Sequence, residues 1–426
     1  MRFPVEIGPV PCPSICMHNN ISPAVGCQPA VVLACAGAPE GDLNLVRSLG
    51  EQGVPVIVLG EYADPPSRYS RYCIEFVQVP DFGGHPQELL AALAELSRRH
   101  GGPLPVFPSA DPDLEALSRL GDATRPYMRS TMADPALVLT LMDKGAFSEL
   151  ATRAGLPVPR TFTPHSLAEA EQGAGMLTYP AIVKPSLPTS WKHPALPRAI
   201  RLAKAIVVES PGELMDICRT VAPWGLALIL QEYVPGDDAE HYDVHAFIDQ
   251  HGEARATFCG RKWRIQPPHV GSGCYVESLH EPALEAMVAD LLQRIGYRGI
   301  ANLNFKRHSR TGEFKLLEIN ARVSQWSILT TRSGVNLPWM AYRDVCGLAQ
   351  EAPPPRQSGL WYVSGKSDFR AVRGYVREGL WTWGGYLRSL LKRPMVCQVL
   401  SLRDPGPARQ LTLRWIAEKM RLRSPS

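Results

Sequence analysis

Short apolar runs separated by Gly- and Pro-rich turns dominate the first 130 or so residues. PAVVLACAG at 29–37, VPVIVLG at 54–60, IEFVQVP at 74–80 and PLPVFPS at 103–109 each have the length and β-branched content of a buried strand. Between them lie helix-like stretches. One covers Asp42 to Gln52, a second carries Leu89, Leu90, Leu93 and Leu96 at helical spacing, and DPDLEALSRLG at 111–121 opens with an Asp-Pro helix start. Strands alternating with helices predict a parallel sheet covered on both faces.

From Asp134 the pattern changes. DPALVLTLMDKGAFSELATRAG predicts one long amphipathic helix, closed by Gly155 and the breakers Pro157 and Pro159. YPAIVKPS at 179–186 and LALILQEYVPG at 226–236 read as strands, with a helix near Pro211 to Val221 between them. HYDVHAFID at 241–249 and EARATFCGRKW at 253–263 read as a pair, and a helix spans Glu281 to Ile295. GIANLNFKRH and EFKLLEINARV then form a hairpin across the turn-rich Ser309 to Glu313. No internal repeat is present.

The last of these strands carries the first chemistry. Side chains alternate between the two faces of a strand, so Glu318, Asn320 and Arg322 share one face while Ile319, Ala321 and Val323 fill a core on the other. Such a polar set is either a solvated salt bridge or a site. On the partner strand Asn302 and Asn304 alternate likewise, so an amide oxygen can face Glu318. Hard oxygens from neighbouring strands suit magnesium, completed by phosphate oxygens and water, and the planar fork of Arg322 suits a phosphate just beyond. Lys184 at a strand end and Lys144 near a helix start supply further cations that a triphosphate needs. Gln231, Glu232 and Val234 end an apolar wall whose backbone can read an adenine edge, and Glu240 or Asp238 can take ribose hydroxyls.

Composition narrows the class without naming it. With 426 residues, 45% hydrophobic and 20% charged, the chain has the make-up of a globular protein of two or three domains. No apolar run reaches membrane-spanning length, the N-terminus lacks the order of a signal peptide, and ten cysteines fit a reducing compartment; a cytoplasmic protein is expected. Cys12, Cys16, His18 and Cys27 match no zinc spacing. The turn CAGAPEG, with Gly37 and Gly41 four apart, lacks the G-x-G-x-x-G of a dinucleotide loop. Charge is uneven: residues 355–426 hold 14 Lys plus Arg against 4 Asp plus Glu, a net +10. That basic region, with Gly379 to Trp383 and Leu390 to Arg393, is either a solvated helical face or a peripheral contact with an acidic partner or membrane surface.

Taken in order, MDKGAFSELATRAGLPVP, AIVKPS, LILQEYVPG, NLNFKRH and LLEINARVSQW resemble the ATP-grasp superfamily, from about Pro29 to Gly347. The pre-domain segments are similar to the carboxylate–amine ligase branch, including D-aspartate ligase-like proteins, and the Glu-x-Asn-x-Arg end is similar to the carbamoyl-phosphate synthase large chain. The resemblance implies an α/β and α+β architecture. An irregular segment at 1–28 would precede a parallel-sheet pre-ATP-grasp domain at 29–133, a two-lobed ATP-grasp domain at 134–350 with ATP between the lobes, and a small basic region at 351–426.

Carried over by position, Lys144 and Lys184 would contact ATP phosphates, Gln231, Glu232 and Val234 would border adenine, and Glu240 or Asp238 would hold ribose. Glu318 and Asn320, with Asn304 where many members have a carboxylate, would bind Mg2+, with Mn2+ as the alternative ion. Arg322 would stabilise the transferred phosphoryl group. GRKWRIQPPHVGSG at 260–273 is either an exposed basic strand end or an acid-recognition segment in which Arg261, Lys262 and Arg264 hold a carboxylate and Gly271 and Gly273 allow close approach to ATP. The expected activity is ATP-dependent amide formation from small-molecule carboxylate and amine substrates through an acyl phosphate, with no nucleic-acid partner. The rival readings are an ATP-binding module without catalysis and a scaffold acting through its basic C-terminal region.

Overall fold

The computed structural model describes residues 28–35, 41–79, 81–187, 190–191, 193–351 and 355–421. The N-terminal cysteines and His18, and Gly37 of the first turn, lie outside them.

β1 (Ala30–Ala34), α1 (Gly41–Gly50), β2 (Val56–Gly60), β3 (Cys73–Gln78), α2 (Pro86–Arg99), β4 (Leu104–Phe107), α3 (Asp111–Leu120) and β5 (Met128–Ser130) form the first unit. All five strands are parallel, in the order β3-β2-β1-β4-β5. Every residue of β1 and β2 is buried, which is why these strands read as unbroken apolar runs rather than alternating ones. The strand order reverses between β1 and β4, and a crevice opens at such a point beyond the strand ends. There α3 begins. The Asp113 carboxylate accepts from the N–H groups of Ser109 and Ala110, fastening the first turn of the helix.

Two helices replace the single one expected after Asp134. α4 (Pro135–Met142) is capped by the Asp134 carboxylate, and α5 (Lys144–Arg153) by that of Asp143, which accepts from Ala146 N at 2.9 Å. Asp143 itself is extended, at φ −85° and ψ 116°, so the chain turns although the apolar periodicity runs on. The break puts Lys144 in the first turn of α5. A small lobe follows, made of β6 (Thr161–Phe162), α6 (Leu167–Met176), β7 (Ala181–Pro185), α7 (Arg198–Leu202), β8 (Ile206–Val208), α8 (Pro211–Val221) and β9 (Leu228–Glu232). Its antiparallel sheet has the order β6-β9-β7-β8 and a core of its own.

The remaining elements are β10 (His241–Ile248), β11 (Ala254–Gln266), β12 (Ser272–Leu279), α9 (Pro282–Arg294), β13 (Gly299–Arg307), β14 (Phe314–Asn320), α10 (Ile328–Arg332), α11 (Leu337–Val345), β15 (Trp361–Val363), α12 (Gly365–Arg377), α13 (Trp383–Ser389), β16 (Met395–Cys397) and α14 (Gly406–Arg421). Seven strands pair in the order β14-β13-β10-β11-β12-β15-β16. Two apolar cores run from the parallel sheet into this one, the first through Val244, Leu303 and Ile319, the second through Phe258, Trp326 and Leu337.

The composition boundary near residue 351 does not mark an edge of this sheet. β15 pairs with β12, β16 pairs with β15, and Asp404 beyond them receives the buried Arg47 of α1 at 2.9 Å. The basic C-terminal stretch thus completes one sheet and ties it back to the first domain.

Candidate functional site

Cross-strand pairing settles how the polar residues meet. Asp243 of β10 lies opposite Asn304 of β13, and Asn304 lies opposite Glu318 of β14; one step along, His245, Asn302 and Asn320 form the next row. Asn304 does lie opposite Glu318, but it faces it with its amide nitrogen rather than the expected oxygen, Nδ2 donating to Glu318 Oε1 at 2.6 Å. Asp243 is a residue that no sequence motif singles out. The alternation in YDVH is its signal, visible only once β10 is known to lie beside β13.

Lys262 enters this row from β11. Its Nζ lies 2.7 Å from Asp243 Oδ1 and donates to Asn304 Oδ1 at 2.9 Å. The amide oxygen expected to face a metal thus already accepts from an ammonium. Burial raises the Asp243 carboxyl above its ordinary range, and the charge of Lys262 opposes the rise. Gly273 leaves room for this lysine, since a Cβ there would come within 3.1 Å of Lys262 Cγ.

Neither arginine beside Lys262 accompanies it into the cleft, and the backbone gives the reason. Arg261 is the adjacent residue and points away; its Nε donates to the Ala239 carbonyl and its guanidinium lies over Tyr242 and Trp263. Arg264 would share the face of Lys262 in a regular strand. A register shift between them pairs Lys262 with Val276 and Arg264 with Tyr275, consecutive residues on opposite faces. Arg264 is consequently fully buried, forked onto both oxygens of Asp368 at 2.6 and 2.7 Å and stacked on Tyr275. The expected acid-recognition segment supplies Lys262 to the cleft but neither Arg261 nor Arg264. Gly271 also has a local role, because a Cβ there would strike the Gln266 carbonyl carbon at 2.0 Å as the turn closes.

Arg322 follows the end of β14 and forks onto Asp111 at 2.6 and 3.0 Å, joining the seven-stranded sheet to the first turn of α3. Burial pushes the Asp111 carboxyl up, but Arg322 and Lys144 together hold it below the ordinary carboxylate range. A cavity of about 250 Å3 lies here, lined among others by Asp111, Asp243, Lys262, Glu318, Asn320 and Arg322.

Lys144 and Lys184 line a second, smaller pocket with Gln231 and Leu317. Both feel the charge of Glu318. Burial depresses Lys144, and it lowers Lys184 to about 8, with Glu318 opposing and Lys144 reinforcing the fall. Gln231 donates to Thr161 Oγ1 rather than pointing along the wall. Glu232 donates its N–H to the Arg160 carbonyl, and Val234 is buried.

Of the two ribose candidates, Asp238 accepts from His269 N and Tyr375 Oη, so its Oδ2 is engaged. Glu240 is forked by Arg307 at 2.6 and 3.1 Å, which holds its carboxyl low. Lys306 sits nearby over the Tyr233 ring at 4.7 Å and lies outside the expected set, although the alternation of Asn302 and Asn304 continues to it.

The donor set suits a magnesium ion. Glu318 is exposed toward the cleft, Asn320 adds an amide, and the buried Asn302 Oδ1 has no hydrogen-bond partner. Among the described residues no group of three His, Cys, Asp or Glu side chains forms a metal cluster. The set is made of hard oxygens with room for phosphate oxygens, not of nitrogen and sulfur.

Comparison with known proteins bears on this arrangement. Residues 227–366 match the family described as ATP-grasp in the biosynthetic pathway with Ter operon. The chain is 25% identical over 285 residues to D-aspartate ligase of Enterococcus faecium, covering 64% of this chain and 66% of that protein. It is 27% identical over 205 residues to the carbamoyl phosphate synthase large chain of Methanothrix thermoacetophila, covering 45% of this chain and 17% of that one. It thus spans less than two thirds of each relative. The fold superposes on the biotin carboxylase domain of Hydrogenobacter thermophilus 2-oxoglutarate carboxylase, solved with MgADP, ADP and bicarbonate, with a TM-score of 0.60, 14% identity and coverage of 78% and 73%. Fold, matched segment and sequence relatives agree in their direction: the chain is similar to ATP-grasp proteins, among them ligases that join a carboxylate to an amine.

Proposed function

We propose that the protein joins a small-molecule carboxylate to an amine, driven by ATP. The observation that carries this reading is that Glu318, which lines one pocket with Asn320 and Arg322, acts electrostatically on both Lys144 and Lys184, which line the pocket next to it. Phosphoryl transfer asks chiefly for positioning and charge stabilisation, and this residue set supplies both.

In the proposed sequence a carboxylate oxygen of the acid attacks the γ-phosphorus of ATP, and the bond to the β-phosphate oxygen breaks to release ADP. The acyl phosphate that results is attacked at its carbonyl carbon by the amine nitrogen, which loses a proton as phosphate departs and the amide forms. Lys144 and Lys184 hold the triphosphate, and Arg322 turns from Asp111 to the transferring group. Lys262, fixed between Asp243 and Asn304, places a positive charge beside the acid. Glu318 and Asn320 would hold Mg2+, which neutralises phosphate charge when bound.

The test is release of ADP from ATP and Mg2+ across a library of carboxylic acids with and without amines. Stimulation by a particular acid, and its loss by roughly 10²-fold or more in Glu318→Gln, is the expected result. One observation favours a module that binds ATP without using it, namely the engagement of the Asn304 oxygen by Lys262. ATP binding with no acid stimulating ADP release would establish that reading instead.

A further inference from the structure

The second basic feature of the chain is unused by the cleft. Trp383 and Leu387 lie one turn apart on α13, and Leu380 before it and Leu391 after it are apolar too, with 59, 45, 62 and 73% of the surfaces of Leu380, Trp383, Leu387 and Leu391 exposed. Phe369 of α12 adjoins them, its ring centroid 5.9 Å from that of Trp383. Large apolar side chains grouped in this way normally turn inward, and here they face solvent.

Beside them runs a stripe of the opposite character. Lys366, Arg370, Arg373 and Arg377 of α12 recur at steps of four, three and four; all are exposed, and none has an ion-pair partner among the described residues. Arg388, Lys392 and Arg393 continue the charge at the end of α13. Residues 365–393 hold seven Lys plus Arg and only two acidic residues, Asp368 and Glu378. Neither acid offsets the stripe, because Asp368 is buried on Arg264 and Glu378 receives His269 Nε2 at 2.8 Å.

The surface is also held rigid from below. Arg264 reaches Asp368 of α12 and Ser389 Oγ of α13, Tyr275 Oη donates to the Ser389 carbonyl, and Tyr375 Oη donates to Asp238. Burying a guanidinium completely is justified where it locks two helices in one relation. No helix among the described residues is long and apolar enough to cross a membrane.

We propose that the α12–α13 face docks the protein on an anionic lipid surface, with the Trp383, Leu387 and Leu391 side chains entering the boundary between headgroups and acyl chains and the arginine stripe lying against the headgroups. Charge complementarity selects an acidic surface. Aliphatic Leu380, Leu387 and Leu391 favour lipid over nucleic acid, since leucine offers no π face to a base.

The test is co-sedimentation of the full chain with vesicles of phosphatidylcholine alone and of phosphatidylcholine mixed with phosphatidylglycerol, at low and high salt. Binding to the anionic vesicles only, weakened by salt, is expected. Leu387→Gln with Leu391→Gln, and separately Arg370→Gln with Arg373→Gln and Arg377→Gln, should each lower the partition coefficient by roughly tenfold or more. All five side chains are exposed, so circular dichroism and melting temperature should stay as in the parent. No binding to anionic vesicles, or binding that survives both sets of changes, overturns the proposal. So does a parent dimer that the leucine changes convert to monomer, which would make the face a subunit contact.

Discussion

Lys184 shows how burial tunes a single side chain in the cleft. Its ammonium is lowered from the ordinary 10.5 to about 8 because desolvation outweighs the attraction of Glu318. Between those two values the unfolded chain binds more protons than the folded one, so this residue alone makes stability rise with pH across that window. For a triphosphate the sign reverses, since only the charged lysine attracts it. ATP affinity should therefore fall as pH is raised from about 7 to about 9.5, and calorimetric titration of Lys184→Met should show a flatter profile. An equal slope in both proteins would assign the pH dependence to another group. The identity of this lysine was legible at a strand end, but its depressed pKa was not, because desolvation depends on what packs around it.

The break between α4 and α5 belongs to the scale of elements. Apolar periodicity passes through Asp143 unaltered, so pattern alone predicts one helix, whereas the carboxylate of Asp143 offers a cap to Ala146 N and starts a second. Asp143→Ala should cost about 1 kcal/mol of stability, typical of a lost N-cap, and let Lys144 drift from the pocket it shares with Lys184. A modest fall in melting temperature together with weaker ATP binding is the expected pair of readouts. A fall in melting temperature with unchanged affinity would confine Asp143 to capping. The strand β11 teaches the same lesson: a one-residue register shift moved Arg264 from the cleft face to the buried contact with Asp368. A bulge is set by how two strands meet, and neither strand records it separately.

For the whole molecule, the decisive contact joins the two ends of the chain. Arg47 of α1 and Asp404 near the C-terminus are both almost wholly buried, and Asp404 also accepts from Ser70 Oγ and Arg71 N. Asp404→Ala would leave the buried Arg47 charge without its carboxylate, held only by the carbonyls of Gln398, Val399 and residue 404, and at a cost of up to about 3–5 kcal/mol should lower the melting temperature by several degrees or abolish soluble expression. Denaturant unfolding checks this, and a change below about 1 kcal/mol would show that the backbone carbonyls around Arg47 suffice to hold it. Deletion beyond Pro355 would likewise remove β15 and β16 from the sheet, so loss of activity on such a deletion would report unfolding rather than a separate function of the basic region.

Local pattern determined much of this protein. Apolar runs and turn residues specify the parallel sheet, the β13–β14 hairpin and the alternation that sets Glu318 beside Asn320 and opposite Asn304, because side-chain direction on a strand follows from position alone. The tertiary structure decided the rest. It brought Asp243 into the same row, set Lys262 on the Asn304 oxygen, turned Arg261 and Arg264 away, placed Asp111 on Arg322 and built the basic C-terminal stretch into the sheet. Each of these joins residues far apart in sequence through strand order, register or a buried charge, and the energy of such contacts resides in neighbours that no local window contains.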